Sequence, residues 1–294
     1  MHVRVRETRD DDAAAEVDDL RRRERRLVHA DAAGDELPGD RERALRGHLR
    51  VEGADEAVLE DHFGKNLRVF DHVGIRVGDL DESRRFYELA GKPRAFILVG
   101  RDDFVSRRLH VGFGVTSREE VDAWWQRLVD AGYERDGEPG PRPQYTESYY
   151  GAVVVDPDGN SVEAVHHEHV HHGIDHLWLG THDVAAAKAF YETIAPAVGL
   201  RLVRDEPGRV SFRSNGGSFT FVDDGREPTE RVHVAFAAPD REAVERFHAA
   251  AVAAGYRDNG GPGERPQYHA GYFGAFVLDP DGHNIEAVSG GLQG

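Results

Sequence analysis

The chain of 294 residues contains no cysteine. That absence excludes a disulfide framework and leaves His, Asp and Glu as the side chains that could hold a metal. It also lacks any apolar run near the roughly 18 residues a membrane span needs, and its start, MHVRVRETRDDDAAAEV, lacks the apolar stretch of a signal peptide. A cytoplasmic location without a membrane partner is expected. Positive charge is scarce too: 37 Lys and Arg stand against 54 Asp and Glu, a formal charge of −17. Such a field repels phosphate backbones, and no basic patch lies beyond the first 50 residues, so a nucleic-acid partner is not expected.

What is present is a repeat. His110–Val165 aligns without a gap to His233–Val288 at an offset of 123 residues, and Asp71–Glu88 aligns to Asp175–Glu192 at an offset of 104. The first copy is therefore shorter by the difference, 19 residues, lost between FYE and HV. In the second copy DHLWLG alternates as a strand, and Asp183 caps a helix with Ala187, Phe190, Tyr191 and Ile194 on one face. Three strand-like runs follow: LRLVRD, RVSFRS and SFTFVD. The pattern restarts with HVAFAA, a helix capped by Asp240 that buries Val244, Phe247, His248 and Ala251, and the strands GAFVLD and NIEAV joined by an Asp-Pro-Asp-Gly turn. Pro139–Pro141 and Gly261–Gly263 read as turns. In place of the three runs the first copy has room for AFILVG and a fragment.

Paired βαβββ modules with DH near the start, HVAF at the second module and DPDGHNIEAV at the end resemble the vicinal oxygen chelate superfamily, which includes glyoxalase I, extradiol dioxygenases and bleomycin-binding proteins. The resemblance covers roughly residues 68–290. It implies an α+β fold of tandem βαβββ modules forming two cups of curved, mostly antiparallel sheet with flanking helices, the first cup shortened. The expected organisation is a charged, partly helical extension over 1–65, a first domain over 66–168 and a complete second domain over 173–290. The chain is compatible with a homodimer.

Alternate residues of a strand share a face, so His176 points with Trp178, His233 with Ala235 and Glu286 with Asn284. If these strands line one concave surface, His176, His233 and Glu286 make a two-histidine, one-carboxylate set, which leaves open positions on an octahedral ion. The resemblance assigns metal ligands to the same three residues, and its counterpart in the first copy is His72, His110 and Glu163. Iron(II) is favoured; manganese, zinc and nickel suit the same donors. Glyoxalase I usually adds a carboxylate on the strand before the second module, where this chain has Thr220, with Asp223 and Asp224 beyond it.

His269, opposite Thr146 of the first copy, is the expected proton shuttle, with the Tyr272 hydroxyl beside it. The resemblance to extradiol dioxygenases places a histidine there and a tyrosine where this chain has Phe276. Tyr145 and Tyr268 recur in both copies and read as structural. The expectation is a divalent-metal enzyme acting on a small oxygenated, catecholic or enolisable substrate, with dioxygenase chemistry favoured over a lyase or thiol transferase; the alternative is a non-catalytic resistance protein that sequesters an antibiotic or aromatic ligand. Six histidines fall between His166 and His176. Of these, His166–His172 read as a polar connection and only His176 as a ligand.

Overall fold

A computed structural model describes residues 69–100, 104–170, 172–214 and 216–291. The N-terminal extension lies outside the described residues. In chain order the elements are β1 (Phe70–Val77), α1 (Leu80–Leu89), β2 (Phe96–Gly100), β3 (Leu109–Gly114), α2 (Arg118–Asp130), β4 (Arg135–Pro141), β5 (Tyr150–Val155) and β6 (Ser161–His166). The second copy gives β7 (Gly173–Gly180), α3 (Val184–Val198), β8 (Arg201–Glu206), β9 (Arg209–Ser214), β10 (Gly217–Val222), β11 (His233–Ala237), α4 (Arg241–Ala253), β12 (Arg257–Glu264), β13 (Phe273–Leu278) and β14 (Asn284–Ser289).

The helices start where side-chain oxygens satisfy first-turn amides: Asp79, Ser117, Asp183 and Asp240 each accept from backbone N–H groups two or three residues on. α3 ends at Gly199, whose φ of 66° is the left-handed conformation that a side chain resists. Each helix buries one stripe, such as Ala187, Phe190, Tyr191 and Ile194 on α3. A fully buried Phe or Ile contributes about 1.5–3 kcal/mol, so these stripes fix the helices to the sheets. No helix among the described residues is long and apolar enough to cross a membrane.

Two mixed sheets form, but neither belongs to one sequence copy. The six-stranded sheet runs β12-β13-β14-β11-β1-β2, and the eight-stranded sheet runs β4-β5-β6-β3-β7-β10-β9-β8. The first half of the first copy thus joins the second half of the second copy, and the two inner halves join each other. The expectation that residues 66–168 and 173–290 each close a cup of their own is corrected here. The physical reason is the choice of edge: β1 pairs with β11 and β7 with β3, both antiparallel. The two halves of each copy, now in different sheets, stay in contact through its helices. Tyr87 on α1 donates to Asp156, and Tyr191 on α3 donates to Asp279, each reaching the turn of its own copy. Two further braces cross: the Ser106 hydroxyl donates to the Arg231 carbonyl and that of Thr229 to the Arg108 carbonyl.

A second correction concerns Pro139–Pro141 and Gly261–Gly263, which fall inside β4 and β12 rather than in turns. Both are outermost strands with shifted register against their neighbours. Proline and glycine are tolerated there because an edge leaves one row of backbone groups unpaired.

Candidate metal centres and cup

Cross-strand rows explain how the site residues meet. In the eight-stranded sheet Glu163, Gly112, His176, Ser218 and Arg213 stand in one row across β6, β3, β7, β10 and β9. Ser161, His110, Trp178, Thr220 and Ser211 form the next row on the same face. In the six-stranded sheet the corresponding rows are Glu286, Ala235, His72 and Asn284, His233, Gly74.

Two clusters result, and their membership differs from the expected one. His110, His176 and Glu163 form one; His72, His233 and Glu286 form the other. All six anticipated residues are brought into clusters, but His176 and His72 have exchanged places, because β7 and β1 pair with the opposite copy. The set His176, His233, Glu286 is not assembled, nor is His72, His110, Glu163.

The geometry of each cluster fits a cation. His110 Nε2 and His176 Nε2 are 3.0 Å apart, with Glu163 Oε2 at 3.1 and 3.3 Å from them. His72 Nε2 and His233 Nε2 are also 3.0 Å apart, with Glu286 Oε2 at 3.7 and 3.2 Å. Neighbouring donors on a six-coordinate ion with bonds of about 2.1 Å sit about 3 Å apart, and three protein donors leave three positions open. Space for the carboxylates comes from glycine. A Cβ on Gly151 would lie 2.1 Å from Glu163 Oε1, and one on Gly274 would lie 2.5 Å from Glu286 Oε1.

The far sides of the rings are fixed. Nδ1 of His176 bonds Asp175 at 2.9 Å, and Nδ1 of His72 bonds Asp71 at 2.8 Å. His110 Nδ1 meets Ser161, and His233 Nδ1 meets the Asn284 carbonyl. These partners aim each Nε2 at the cluster. The Tyr149 and Tyr272 hydroxyls donate to Glu163 and Glu286 at 3.1 and 2.7 Å. Burial, then the nearby Glu163 and Asp175 charges, push the Tyr149 hydroxyl well above its usual pKa, so it remains a donor.

In the absence of a cation the eight-stranded cluster holds a proton. Burial works against charge on Glu163, but the two histidines outweigh it and lower its pKa to about 2. Burial also works against charge on His176, but Asp175 and Glu163 outweigh it and raise its pKa to about 10. A divalent ion would displace that proton, so loading weakens as pH falls.

The clusters differ in their surroundings. The eight-stranded one lies on the wall of a cavity of about 1700 Å³ that includes Trp178, Tyr145, Tyr149, Ser211, Thr220 and Arg213. None of His72, His233 or Glu286 lines that cavity. Four strands, β7 to β10, extend one side of the eight-stranded cup, whereas β1 and β2 alone do so in the other. The missing 19 residues account for this difference. Trp178 also has no counterpart, since Gly74 holds its place beside His233.

His269 is not brought to any triad. It is half-buried, lies on the six-stranded side and bonds the Ala270 carbonyl, with its ring 5.2 Å from that of Tyr272. Its counterpart at the large cavity is Thr146. At the position expected of a fourth ligand, Thr220 is buried and bonds Ser211, while β10 ends at Val222, and Asp224 beyond it is paired with Arg226. Among the described residues neither cluster has a second carboxylate as a fourth ligand.

Sequence reasoning missed His167. This residue of the polar connection lines the cavity, bonds Asp175 Oδ2 at 3.0 Å and stacks on Tyr149. It forms the chain His167–Asp175–His176. Asp71 and Asp175 in the repeated DH, and Tyr149 opposite Tyr272, were visible at the same offsets as the ligands. His167 carried no such signal, because Gly290 stands opposite it.

The family model for the Glyoxalase/Bleomycin resistance protein/Dioxygenase superfamily matches residues 93–164 and 173–287, more than half the chain. The protein therefore belongs to that superfamily, with the two-module vicinal oxygen chelate fold. Among solved structures, glyoxalase I from Zea mays is similar at a TM-score of 0.56 and 20% identity, over 76% of this chain and 92% of that one. A putative dioxygenase from Bacillus subtilis is similar at 0.56 and 17%, over 76% and 86%. At these identities the likeness is one of fold. No curated protein matches the chain.

Proposed function

We propose that this chain is a divalent-metal-dependent enzyme acting at the eight-stranded cup on a small substrate with two neighbouring oxygens. The observation that carries it is the His110, His176 and Glu163 triad, three donors spaced for one ion, on the wall of the large cavity. When bound, the metal would supply Lewis acidity and an attachment point for both substrate oxygens. Asp175, Ser161 and Tyr149 hold the donors in place, while Trp178 and Tyr145, packed edge to face, line one side of the cavity. Dioxygenase-type chemistry is the finer reading, because two histidines and one carboxylate without a fourth ligand suit an oxygen-using iron site. Iron(II) is accordingly the preferred metal.

A sequestering role is the second reading. It is favoured by a cavity larger than the roughly 300–1,000 Å³ usual for small ligands, and by Thr146 standing where a histidine could move a proton.

Metal analysis of untagged protein, followed by anaerobic iron loading and oxygen uptake with a panel of vicinal diols, tests the choice. Stoichiometric metal with substrate-dependent uptake is expected. Metal without uptake would move the reading to a lyase or transferase, and no stoichiometric metal after reconstitution would move it to sequestration.

A further inference from the structure

The wall beside the triad, two strands along the same sheet, carries a charge pattern that metal chelation leaves unused. On β9, Arg209, Ser211 and Arg213 alternate toward the cavity. Most cavity arginines are already engaged. Arg108 pairs with Glu230, Arg204 with Glu206 and Arg226 with Asp224; Arg142 bonds the Glu138 carbonyl, and Arg209 lies 4.2 Å over the Trp178 ring. Arg213 is exposed and meets no carboxylate among the described residues. It stands in the same cross-strand row as His176, with only Ser218 between them. Two strand spacings of about 4.8 Å separate their backbones, which leaves room for a small carbon frame between the triad and the guanidinium. Trp178, one row along, lines the path.

We propose that the eight-stranded cup selects substrates that bear a carboxylate remote from their chelating oxygens, and that Arg213 holds it. This rests on the chelating role of the triad. Arg213, among the described residues the one cavity-lining guanidinium in the row of His176, offers one planar fork, which matches a planar monoanion; a phosphoryl dianion would call for further donors in that row. The preference belongs to this cup alone, because the six-stranded cup ends at β2 and has no strand in the place of β9.

The test uses zinc-loaded protein, which is redox-inert, and calorimetry under anaerobic conditions. The probes are catechol, 3,4-dihydroxybenzoate and 3,4-dihydroxyphenylacetate, which share vicinal oxygens and differ in the carboxylate and its reach. At least one carboxylate-bearing probe is expected to bind tenfold or more tightly than catechol, with that ratio falling to threefold or less in Arg213→Gln and to an intermediate value in Arg213→Lys. Circular dichroism and metal content establish that each variant is folded and loaded. Equal affinities for all three probes in the wild type, or a ratio unchanged in folded Arg213→Gln, would overturn the proposal while leaving chelation standing. Failure of every probe to bind loaded protein would overturn the chelate reading and this proposal together.

Discussion

His72 and His233, 161 residues apart in the chain, place their Nε2 atoms 3.0 Å from each other. The same relationship joins His110 to His176 at 3.0 Å. Each pair takes one histidine from each sequence copy, so each cluster is a product of the whole fold rather than of one repeat.

Gly151 makes room for the Glu163 carboxylate, and a methyl group there would lie 2.1 Å from Oε1 and 3.3 Å from the Tyr149 ring. Gly151→Ala is expected to cost about 1–3 kcal/mol of stability and to empty the eight-stranded cluster while the six-stranded one still loads. Thermal unfolding and metal titration check both parts; unchanged loading at both clusters would remove glycine from the account.

His167 buttresses Asp175, which in turn orients His176. His167→Gln is expected to weaken metal binding at the eight-stranded cluster by about 10–100-fold, with the His72 cluster as internal control. Competition with a chelator measures it, and an equal effect on both clusters would point to general destabilisation instead.

His283 is buried, and its Nε2 has no hydrogen-bond partner among the described residues; burial lowers its pKa to about 4 from 6.5. The unfolded chain takes up this proton first, so the contribution is fully present above pH 6.5 and is lost as pH falls toward 4. Asp279, raised by burial to about 7, acts in the opposite sense and loses its contribution as pH rises through 7. The other copy has Asn160 in this place, accepting from Leu109 N and donating to Asp156. His283→Asn is therefore expected to hold stability better between pH 6.5 and 4 than the wild type, as measured by denaturant melts across that range. A steeper loss in the variant would contradict this.

Most of the fold was legible because burial imposes periodicity. DHLWLG, HVAFAA and the capped stripe of α3 all read correctly from their spacing. β4 and β12 did not, because edge strands built from glycine and proline look like turns. The ligand types were legible too, since an aspartate–histidine pair and a terminal glutamate recur at fixed offsets. Their grouping was not, because sequence proximity favours each copy closing on itself, while the pairing of β1 with β11 and β7 with β3 is settled by packing between copies. The 19 missing residues were read as weakening a cup built from the first copy. They weaken the six-stranded cup instead, and the cup that keeps its walls takes two of its three donors, His110 and Glu163, from that shorter copy.

The exchanged pairing is tested most directly by metal stoichiometry in two double variants, after dialysis to remove ions held loosely by the histidine-rich connection. If each cluster binds one ion, His72→Ala/His233→Ala should lose one of two, because both residues belong to the same cluster. His72→Ala/His110→Ala should lose both. The opposite result, with both ions lost in the first variant and one in the second, would mean that each copy builds its own centre and would contradict the account.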